Sequence, residues 1–452
     1  MPADQPADLR ATVAALMPRA LSDLTELVAI PSIADERIVP LAECDRAAQW
    51  VADAFRAEGI ADARPERTPD GTATVVGQRP GPDGAPTVLL YAHYDVQPTL
   101  DEAAWTTPPF ELTERDGRWF GRGAADCKGN IAAILTALRA LRDQDGGYPV
   151  TLKLAIEGSE EQGGGGLDQL VEARPELFSA DAVLVVDVGN VAVGRPTLTT
   201  SLRGSADVVV HVATLQGAVH SGMFGGAAPD PVAALIGMLA TLRDEHGDTT
   251  IPGLDSTQTW PGAGWDADEF AAAAGLLPGA QVLGSGSVAD QLWARPTVTV
   301  VGIDVPPVVG STPAIQGRAS ARLNLRVPPG TRATDARDAL VAHLHSVAPW
   351  GATVTVEADH VGEPFLARTD TPAFAALSGA LEEAFGAPTV TVGEGASIPL
   401  CNVLATLMPQ ASIVLLGVED PAAAIHAPNE SVHPGEIEHL AHALALFLSR
   451  LG

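Results

Sequence analysis

The sequence predicts an α/β protein whose mostly parallel sheet is interrupted by a smaller α+β domain. Three observations lead to this prediction. Strand and helix patterns alternate over the first 200 residues, and the strands are almost continuously apolar, as in a parallel sheet covered on both faces. A β-α-β-β-α-β order follows in the middle of the chain, which is the ferredoxin-like arrangement. Helix and strand patterns then alternate again toward the C-terminus.

Hydrophobic periodicity places the elements of the first predicted domain, residues 1–199. Helices are expected over 9–28, 45–58 and 130–142, and strands over 86–92, 150–156 and 181–186. The three strands run directly into polar residues, which are His93, Glu157 and Asp187. Because the carboxyl ends of parallel strands meet at one edge of a sheet, we expect a binding site there.

The inserted domain is expected over residues 200–362, and the first domain resumes over 363–452. The insertion is predicted to contain strands at 206–213, 297–303, 319–327 and 352–358 and helices at 231–243 and 334–346. The stretch 247–294 is rich in Gly, Pro, Ser and Asp and is expected to be irregular. The resumed domain is predicted to contain helices at 372–385 and 435–450 and a strand at 412–417.

Composition limits the partners and the compartment. The 452 residues carry 56 acidic and 27 basic side chains, a formal net charge of -29. Such a surface repels phosphate backbones and anionic lipids, so we expect no nucleic acid and no membrane surface as partner. Cys44, Cys127 and Cys401 form no C-x-x-C pattern, which favours a reducing compartment and predicts a cytoplasmic protein.

Each of the first two motifs contains a residue that can bind a metal and a neighbouring feature that can orient its side chain. In His93-Tyr94-Asp95, residues two apart on a strand face the same way, so Asp95 can orient the imidazole. The alternative is a surface histidine followed by a turn aspartate. Glycines around Asp126 allow a sharp turn before a predicted helix. The alternative there is that Asp126 only caps that helix.

The remaining motifs add carboxylates and a second imidazole. Glu160 and Glu161 are adjacent, and their charges repel unless cations or protons intervene. One of them can bind a metal while the other serves as a base; the alternative is a solvated acidic loop. Asp187 follows a strand, and His426 lies near the C-terminus. Each of these two is weak evidence alone, since an aspartate after a strand is often a turn former.

Taken together, these residues predict a metal-dependent hydrolase. Two imidazoles and three carboxylates suit zinc, manganese or cobalt rather than calcium. Two divalent metal ions that share one carboxylate would leave a position open for water, as in hydrolytic metal pairs about 3.5–4 Å apart.

The combination of motifs resembles the M20 family of metallopeptidases, near its carnosinase-like and bacterial dipeptidase branch. The resemblance extends over essentially the whole chain, and its motifs are His93-x-Asp95, Gly121-Arg122-Gly123 through Gly129, Glu157 to Glu161, and His426 to Glu430. It implies a zinc-peptidase-like catalytic domain interrupted by a lid and dimerisation domain.

The resemblance also implies roles for individual residues. Asp126 would bridge the metals, with His93 and Asp187 completing one site and Glu161 and His426 the other. Asp95 would orient His93. Glu160 would be the general base, and the peptide bond after Asp126 would be cis.

In the lid, the resemblance assigns His220, Arg326 and a turn. His220 would reach the active site of the other subunit of a homodimer and stabilise the oxyanion; the alternative is an ordinary loop histidine. Arg326 would clamp the substrate carboxylate, a task that its bidentate fork suits; the alternative is a strand-surface arginine. Gly395 and Ser397 would belong to the substrate-binding turn.

The expected activity is two-metal hydrolysis of the amide bond of dipeptides or similar small peptides. Asp187, where other branches carry Glu, favours a dipeptidase. An N-acyl amino acid deacylase with the same machinery, and a non-catalytic binding protein on the same scaffold, are the alternatives. Gly393 lacks the basic side chain that some dipeptidases carry just before the turn, which argues against carnosine-like specificity.

Overall fold

The structure is a computed structural model that describes residues 8–142, 144, 147–163, 165–395 and 398–451. It divides into two compact units. The first unit contains the described residues within Met1–Thr200, Ala367–Thr391 and Pro399–Gly452, and the second those within Ser201–Leu366 and Val392–Ile398.

The helices and strands follow one another along the described part of the chain. The α-helices are α1 (Leu9–Val28), α2 (Ala42–Ala57), α3 (Lys128–Arg142), α4 (Gly165–Ala173), α5 (Ser221–Phe224), α6 (Pro231–Ala240), α7 (Ala267–Ala273), α8 (Ala333–Ser346), α9 (Pro372–Phe385), α10 (Pro399–Leu407) and α11 (Pro434–Leu451). The strands are β1 (Arg64–Arg67), β2 (Ala73–Arg79), β3 (Thr87–His93), β4 (Thr113–Arg115), β5 (Arg118–Phe120), β6 (Thr151–Glu157), β7 (Ala182–Val186), β8 (Thr197–Leu202), β9 (Gly204–Ala213), β10 (Val219–His220), β11 (Thr297–Asp304), β12 (Ala314–Ile315), β13 (Arg318–Val327), β14 (Thr353–Gly362), β15 (Phe365–Leu366), β16 (Val390–Glu394), β17 (Ser412–Leu416) and β18 (Ser431–Val432).

The sheet of the first unit is parallel at its centre. Its strands follow the order β1-β2-β6-β3-β7-β17-β8. β3 pairs in parallel with β6 and β7, and β17 pairs in parallel with β7. β1, β2 and β8 join antiparallel at the two sides. The carboxyl ends of β3, β6, β7 and β17 therefore lie at one edge, and the predicted α/β class is confirmed.

Helices bury the apolar strands of this unit. α1 packs against α3 and α11, and α11 packs against α9. α3 is buried from Lys128 to Leu141, because its Ala-rich sequence lets neighbouring helices and the sheet approach on several sides. Within the described residues, no helix is both long and apolar enough to cross a membrane.

The second unit has the ferredoxin-like order that the sequence predicts. Its four-stranded antiparallel sheet runs β11-β13-β9-β14, and α6 and α8 pack on it. Val208, Val210 and Val212 alternate into the core that these helices cover. The intervening residues of β9 face the opposite side of the sheet, as strand geometry requires.

The predicted element bounds agree with the structure within a few residues, and the differences have local causes. α4 and α10 were not predicted. α4 begins in a run of glycines that reads as a loop, yet Leu167, Leu170 and Val171 are buried, so packing overrides helix propensity. The stretch 247–294 is not wholly irregular. It contains α7, which Asp266 caps by accepting hydrogen bonds from the N–H groups of Asp268 and Glu269.

Candidate metal centre

His93 ends β3 at the carboxyl edge of the first unit's sheet, and its ring is almost fully buried, with 1% of the side chain exposed. Its Nδ1 lies 3.0 Å from the backbone oxygen of Asp95 and 3.4 Å from Oδ1 of the same residue. Nε2 lies 2.9 Å from Oδ1 of Asp126 and 3.0 Å from Oδ1 of Asp187. The ring is thus oriented from one side and faces two carboxylates on the other.

The carboxylate of Asp95 also holds the segment that follows β6. Its Oδ1 accepts a hydrogen bond from the backbone N–H of Glu160 at 3.1 Å, and Oδ2 accepts one from Glu161 at 3.0 Å. Asp95 therefore fixes the two glutamates relative to His93, a contact that the sequence did not predict.

The turn that carries Asp126 is built around the buried carboxylate of Glu430. This carboxylate accepts backbone N–H groups from Gly123 at 3.0 Å, Ala125 at 3.0 Å and Asp126 at 3.1 Å. The pairing of β18 with β5 brings the C-terminal segment to this turn. The peptide bond between Asp126 and Cys127 is cis, as the resemblance implied.

His426 supplies the second imidazole. Its Nε2 lies 3.0 Å from Oδ2 of Asp126 and 3.2 Å from Oε2 of Glu161. The backbone of His426 has a φ of 60°, a conformation that non-glycine residues adopt rarely and that clusters at functional sites. Gln97, which the sequence analysis did not single out, donates a hydrogen bond from Nε2 to Oε2 of Glu161 at 2.7 Å.

Among the described residues, three groups of side chains bring candidate ligand atoms within 4.8 Å of one another. They are His93 with Cys127 and Asp187, His93 with Asp126 and Glu161, and Asp126 with Asp187 and Glu419. Glu419 was not predicted from the sequence. Its position shortly after β17, at the same edge where the other candidates lie, could have identified it. Burial raises the pKa of the Cys127 thiol well above its usual range, and its Sγ donates to the backbone oxygen of Val186 at 3.2 Å.

The charges at this centre require a cation or protons. Burial opposes ionisation and raises the pKa of Glu161 and of Asp187. Burial opposes protonation of His93, but the charge of Asp187 and further contacts raise its pKa well above the ordinary value. Hydrogen bonds to Asp126 and Glu161 raise the pKa of His426 to about 10. A divalent cation would neutralise the same carboxylates, so these residues fit a metal centre.

Glu160 is in none of the three groups formed by the described residues. It is half-buried, and desolvation of its carboxyl and the charge of Asp187 raise its pKa well above the usual range. A carboxyl group beside the cluster but outside its ligand groups is suited to proton transfer.

The other predicted residues belong to the second unit. His220 is exposed at the end of β10, and its Nδ1 accepts a hydrogen bond from the N–H of Gly222 at 3.0 Å. The neutral ring therefore carries its proton on Nε2, which can donate. Arg326 is half-buried on β13 and donates from Nε to Oδ1 of Asn324 at 3.1 Å. Gly395 follows β16, and Ser397 lies outside the described residues.

A cluster of imidazoles and carboxylates at the carboxyl edge of a mostly parallel sheet is an arrangement of metal-dependent hydrolases. The chain matches the model of peptidase family M20/M25/M40 over residues 89–450. The chain belongs to this family, and the predicted M20 membership is confirmed. The family implies divalent metal ions.

Individual relatives agree with this assignment. A cysteinylglycine-S-conjugate dipeptidase of Corynebacterium striatum is 47% identical over 412 residues, 90% of either chain. A human Beta-Ala-His dipeptidase is 28% identical over 396 residues, 82% of this chain and 77% of that one. The crystal structure of human carnosine dipeptidase 1 has the same fold, with a TM-score of 0.80, 24% identity, and 99% and 100% of the two chains covered.

Proposed function

We propose that this chain is a two-metal dipeptidase that hydrolyses the peptide bond of small dipeptides with a free C-terminal carboxylate. The observation that carries the proposal is the position of Asp126 between the two imidazoles. Its Oδ1 faces His93 at 2.9 Å and its Oδ2 faces His426 at 3.0 Å. A carboxylate that offers one oxygen to each side is suited to bridge two cations.

In this proposal His93 and Asp187 complete one metal site, and Glu161 and His426 complete the other. Zinc is the proposed metal, and the same nitrogen and oxygen ligands also accept manganese or cobalt. When bound, the ions would polarise the substrate carbonyl and lower the pKa of the attacking water.

The chain's own residues orient the reactants and move the proton. The carboxylate of Glu160 takes the proton of the attacking water and then delivers it to the leaving nitrogen. Asp95 holds the backbone N–H groups of Glu160 and Glu161 through its two oxygens, so the base stays in register with its neighbour. Nε2–H of His220 is proposed to donate to the oxyanion, and Arg326 to bind the substrate carboxylate.

The proposed role of His220 requires a homodimer, in which His220 of each chain would donate to the oxyanion in the active site of the other chain. The support within this chain is β11, the terminal strand of its sheet in the part of the chain that the structure describes. It exposes Val300, Val301 and Ile303, with 41%, 55% and 51% of their surfaces accessible. An apolar edge strand is suited to pair with a second copy about a two-fold axis.

We propose cysteinylglycine-type dipeptides, including S-substituted ones, as the preferred substrates. The Corynebacterium relative is named for S-conjugates of cysteinylglycine. A side chain at Gly393 would place its Cβ 2.6 Å from Trp293 and 2.8 Å from Oγ of Ser201. The basic residue found there in some dipeptidases therefore does not fit, which argues against β-Ala-His as the main substrate.

We also propose a cytoplasmic location. Cys44, Cys127 and Cys401 are buried free thiols, which suits a reducing compartment.

A substrate and metal screen tests the proposed function. The protein is stripped with a chelator, reloaded with zinc, manganese or cobalt, and assayed on Cys-Gly, S-methyl-Cys-Gly, β-Ala-His and N-acetylglycine. We expect two metal ions per chain, turnover only after reloading, and faster hydrolysis of the two cysteinylglycine substrates. Hydrolysis of N-acetylglycine alone would identify a deacylase. A metal-loaded protein that binds dipeptides without cleaving them would be a binding protein.

A further inference from the structure

A second arginine of the second unit, Arg203, is buried with one of its donors unpaired among the described residues. Only 8% of its surface is exposed. Its Nη1 donates to Oγ1 of Thr297 at 3.0 Å, and its Nε has no hydrogen-bond partner among the described residues. A buried guanidinium with an unsatisfied donor is costly unless a ligand supplies the missing acceptor.

Arg203 lies beside Arg326. Ser205, Arg326 and Thr297 form one row across β9, β13 and β11. Arg203 precedes Ser205 by two residues, and its Nη1 reaches Thr297, which is the direct neighbour of Arg326 on the adjacent strand. Burial and the charge of Arg326 lower the pKa of Arg203 to about 10, although Glu394 offsets part of this effect. The two guanidinium groups therefore repel each other in a poorly solvated place.

The same guanidinium borders the predicted substrate-binding turn. A Cβ added at Gly395 would lie 3.1 Å from Nη2 of Arg203. This distance is shorter than ordinary van der Waals contact, so the guanidinium lies directly against the backbone of Gly395. Arg203, Arg326 and the backbone at Gly395 thus lie together in one unit.

We propose that Arg203 and Arg326 together bind the C-terminal carboxylate of the substrate, which makes Arg203 a second specificity-determining residue. The inference rests on the proposed function, in which a substrate with a free carboxylate enters this site. A carboxylate has two oxygens and accepts several charge-assisted hydrogen bonds, so it can engage both guanidinium groups. Its charge would also offset the repulsion between them.

The test compares S-methyl-Cys-Gly with its C-terminal amide in the metal-loaded protein and in Arg203→Gln. We expect KM for the free acid to rise about 10- to 100-fold, the range for a hydrogen bond to a charged group. We expect kcat to change little, and the amide to be almost unaffected, because it offers no charge to bind. Arg203→Lys keeps the positive charge but lacks the planar guanidinium, so we expect its KM for the free acid to lie between those of the wild type and Arg203→Gln.

Arg322→Gln is the matched control. Arg322 lies on the same face of β13 as Arg326, but it is exposed and pairs with Asp359 at 2.7 Å. We expect Arg322→Gln to change KM for neither the free acid nor the amide. In the double variant Arg203→Gln/Arg326→Gln, the effects of the two substitutions on KM for the free acid should be non-additive, since both residues bind the same carboxylate.

Other outcomes overturn the proposal. Equal loss on the free acid and on the amide would make Arg203 structural. If the wild-type protein shows no preference for the free acid over the amide, it has no subsite for the substrate carboxylate. If the wild type cleaves no dipeptide, the proposed function fails. Calorimetric binding of the same dipeptide and its amide to wild type and to Arg203→Gln then decides the role of Arg203 separately.

Discussion

Arg122 and Glu430 form an ion pair at 2.7 Å between Nη1 and Oε2, and each side chain is only 1% exposed. The two residues are 308 positions apart. Since Glu430 also accepts the backbone N–H groups of Gly123, Ala125 and Asp126, this pair joins the C-terminal segment to the turn that presents the candidate bridging carboxylate.

Replacing Glu430 is expected to destabilise the fold strongly. Glu430→Gln leaves the Arg122 guanidinium buried without its counter-charge, and breaking a buried pair typically costs about 3–5 kcal/mol. The free energy of unfolding from urea titration measures this loss. Glu383→Gln is the control, because Glu383 pairs with Arg450 at 2.8 Å on the surface and should lose less than about 1 kcal/mol. Similar losses for both variants would argue against an organising role for Glu430.

Glu160→Gln is expected to keep the metals and lose most of its turnover. Glu160 lies outside the candidate ligand groups, and removing a general base typically lowers the rate about 10²–10⁴-fold. Metal content by mass spectrometry and kcat should be measured on the same sample. A kcat close to that of the wild type would remove Glu160 from the mechanism.

Asp126→Ala is expected to lower occupancy at both metal sites, because its two oxygens face different imidazoles. His426→Ala and Glu161→Ala should mainly empty one site. Calorimetric titration of the stripped variants with zinc gives the number of sites that remain. Loss of one site in all three variants would contradict a bridging role for Asp126.

Two inactive variants are expected to restore activity in a mixed dimer. Glu160→Ala keeps His220, and His220→Ala keeps Glu160, so one site of each mixed dimer receives both intact residues if His220 serves the partner. With free subunit exchange, half of the dimers are mixed and about one quarter of all sites recover. The mixed dimer can be purified with two different tags and assayed per metal-loaded site. Activity no higher than that of the separate variants would show that His220 does not act in the partner's active site and is an ordinary loop histidine.

The fold is expected to lose stability through Asp168 on α4 as the pH rises from 3.8 to about 6. Burial, with a contribution from Glu172, raises the pKa of Asp168 from 3.8 to about 6. A carboxyl group whose pKa is raised by folding favours the folded state below pH 3.8, and this contribution is lost as the pH rises through 6. Asp168→Asn should therefore be more stable relative to wild type at pH 8 than at pH 4. Thermal melts across this range check it, and a pH-independent difference would contradict it.

Elements with strong periodicity could be predicted from the sequence. The apolar runs before His93 and Asp187 gave strands within one residue of the observed bounds. α1 has the bounds that were predicted, because the spacing of apolar residues along a helix is a local feature of the sequence. β1, β2 and α4 were missed, since their short or glycine-rich segments are stabilised by packing rather than by their own pattern.

The sequence by itself indicated five candidate ligands of the metal centre, since strand ends, glycine turns and paired carboxylates are local features. They are His93, Asp126, Glu161, Asp187 and His426. Apart from Asp95, which the sequence also indicated, only the tertiary structure decided which groups hold these residues in place. Glu430 reaches Asp126 across 304 positions, and Glu419 approaches Asp126 and Asp187 from a different strand end. Arg203 became a candidate because its side chain reaches Thr297, which pairs with Arg326 across β11 and β13. Such contacts depend on how distant segments return to one another, which residue spacing along the chain does not encode.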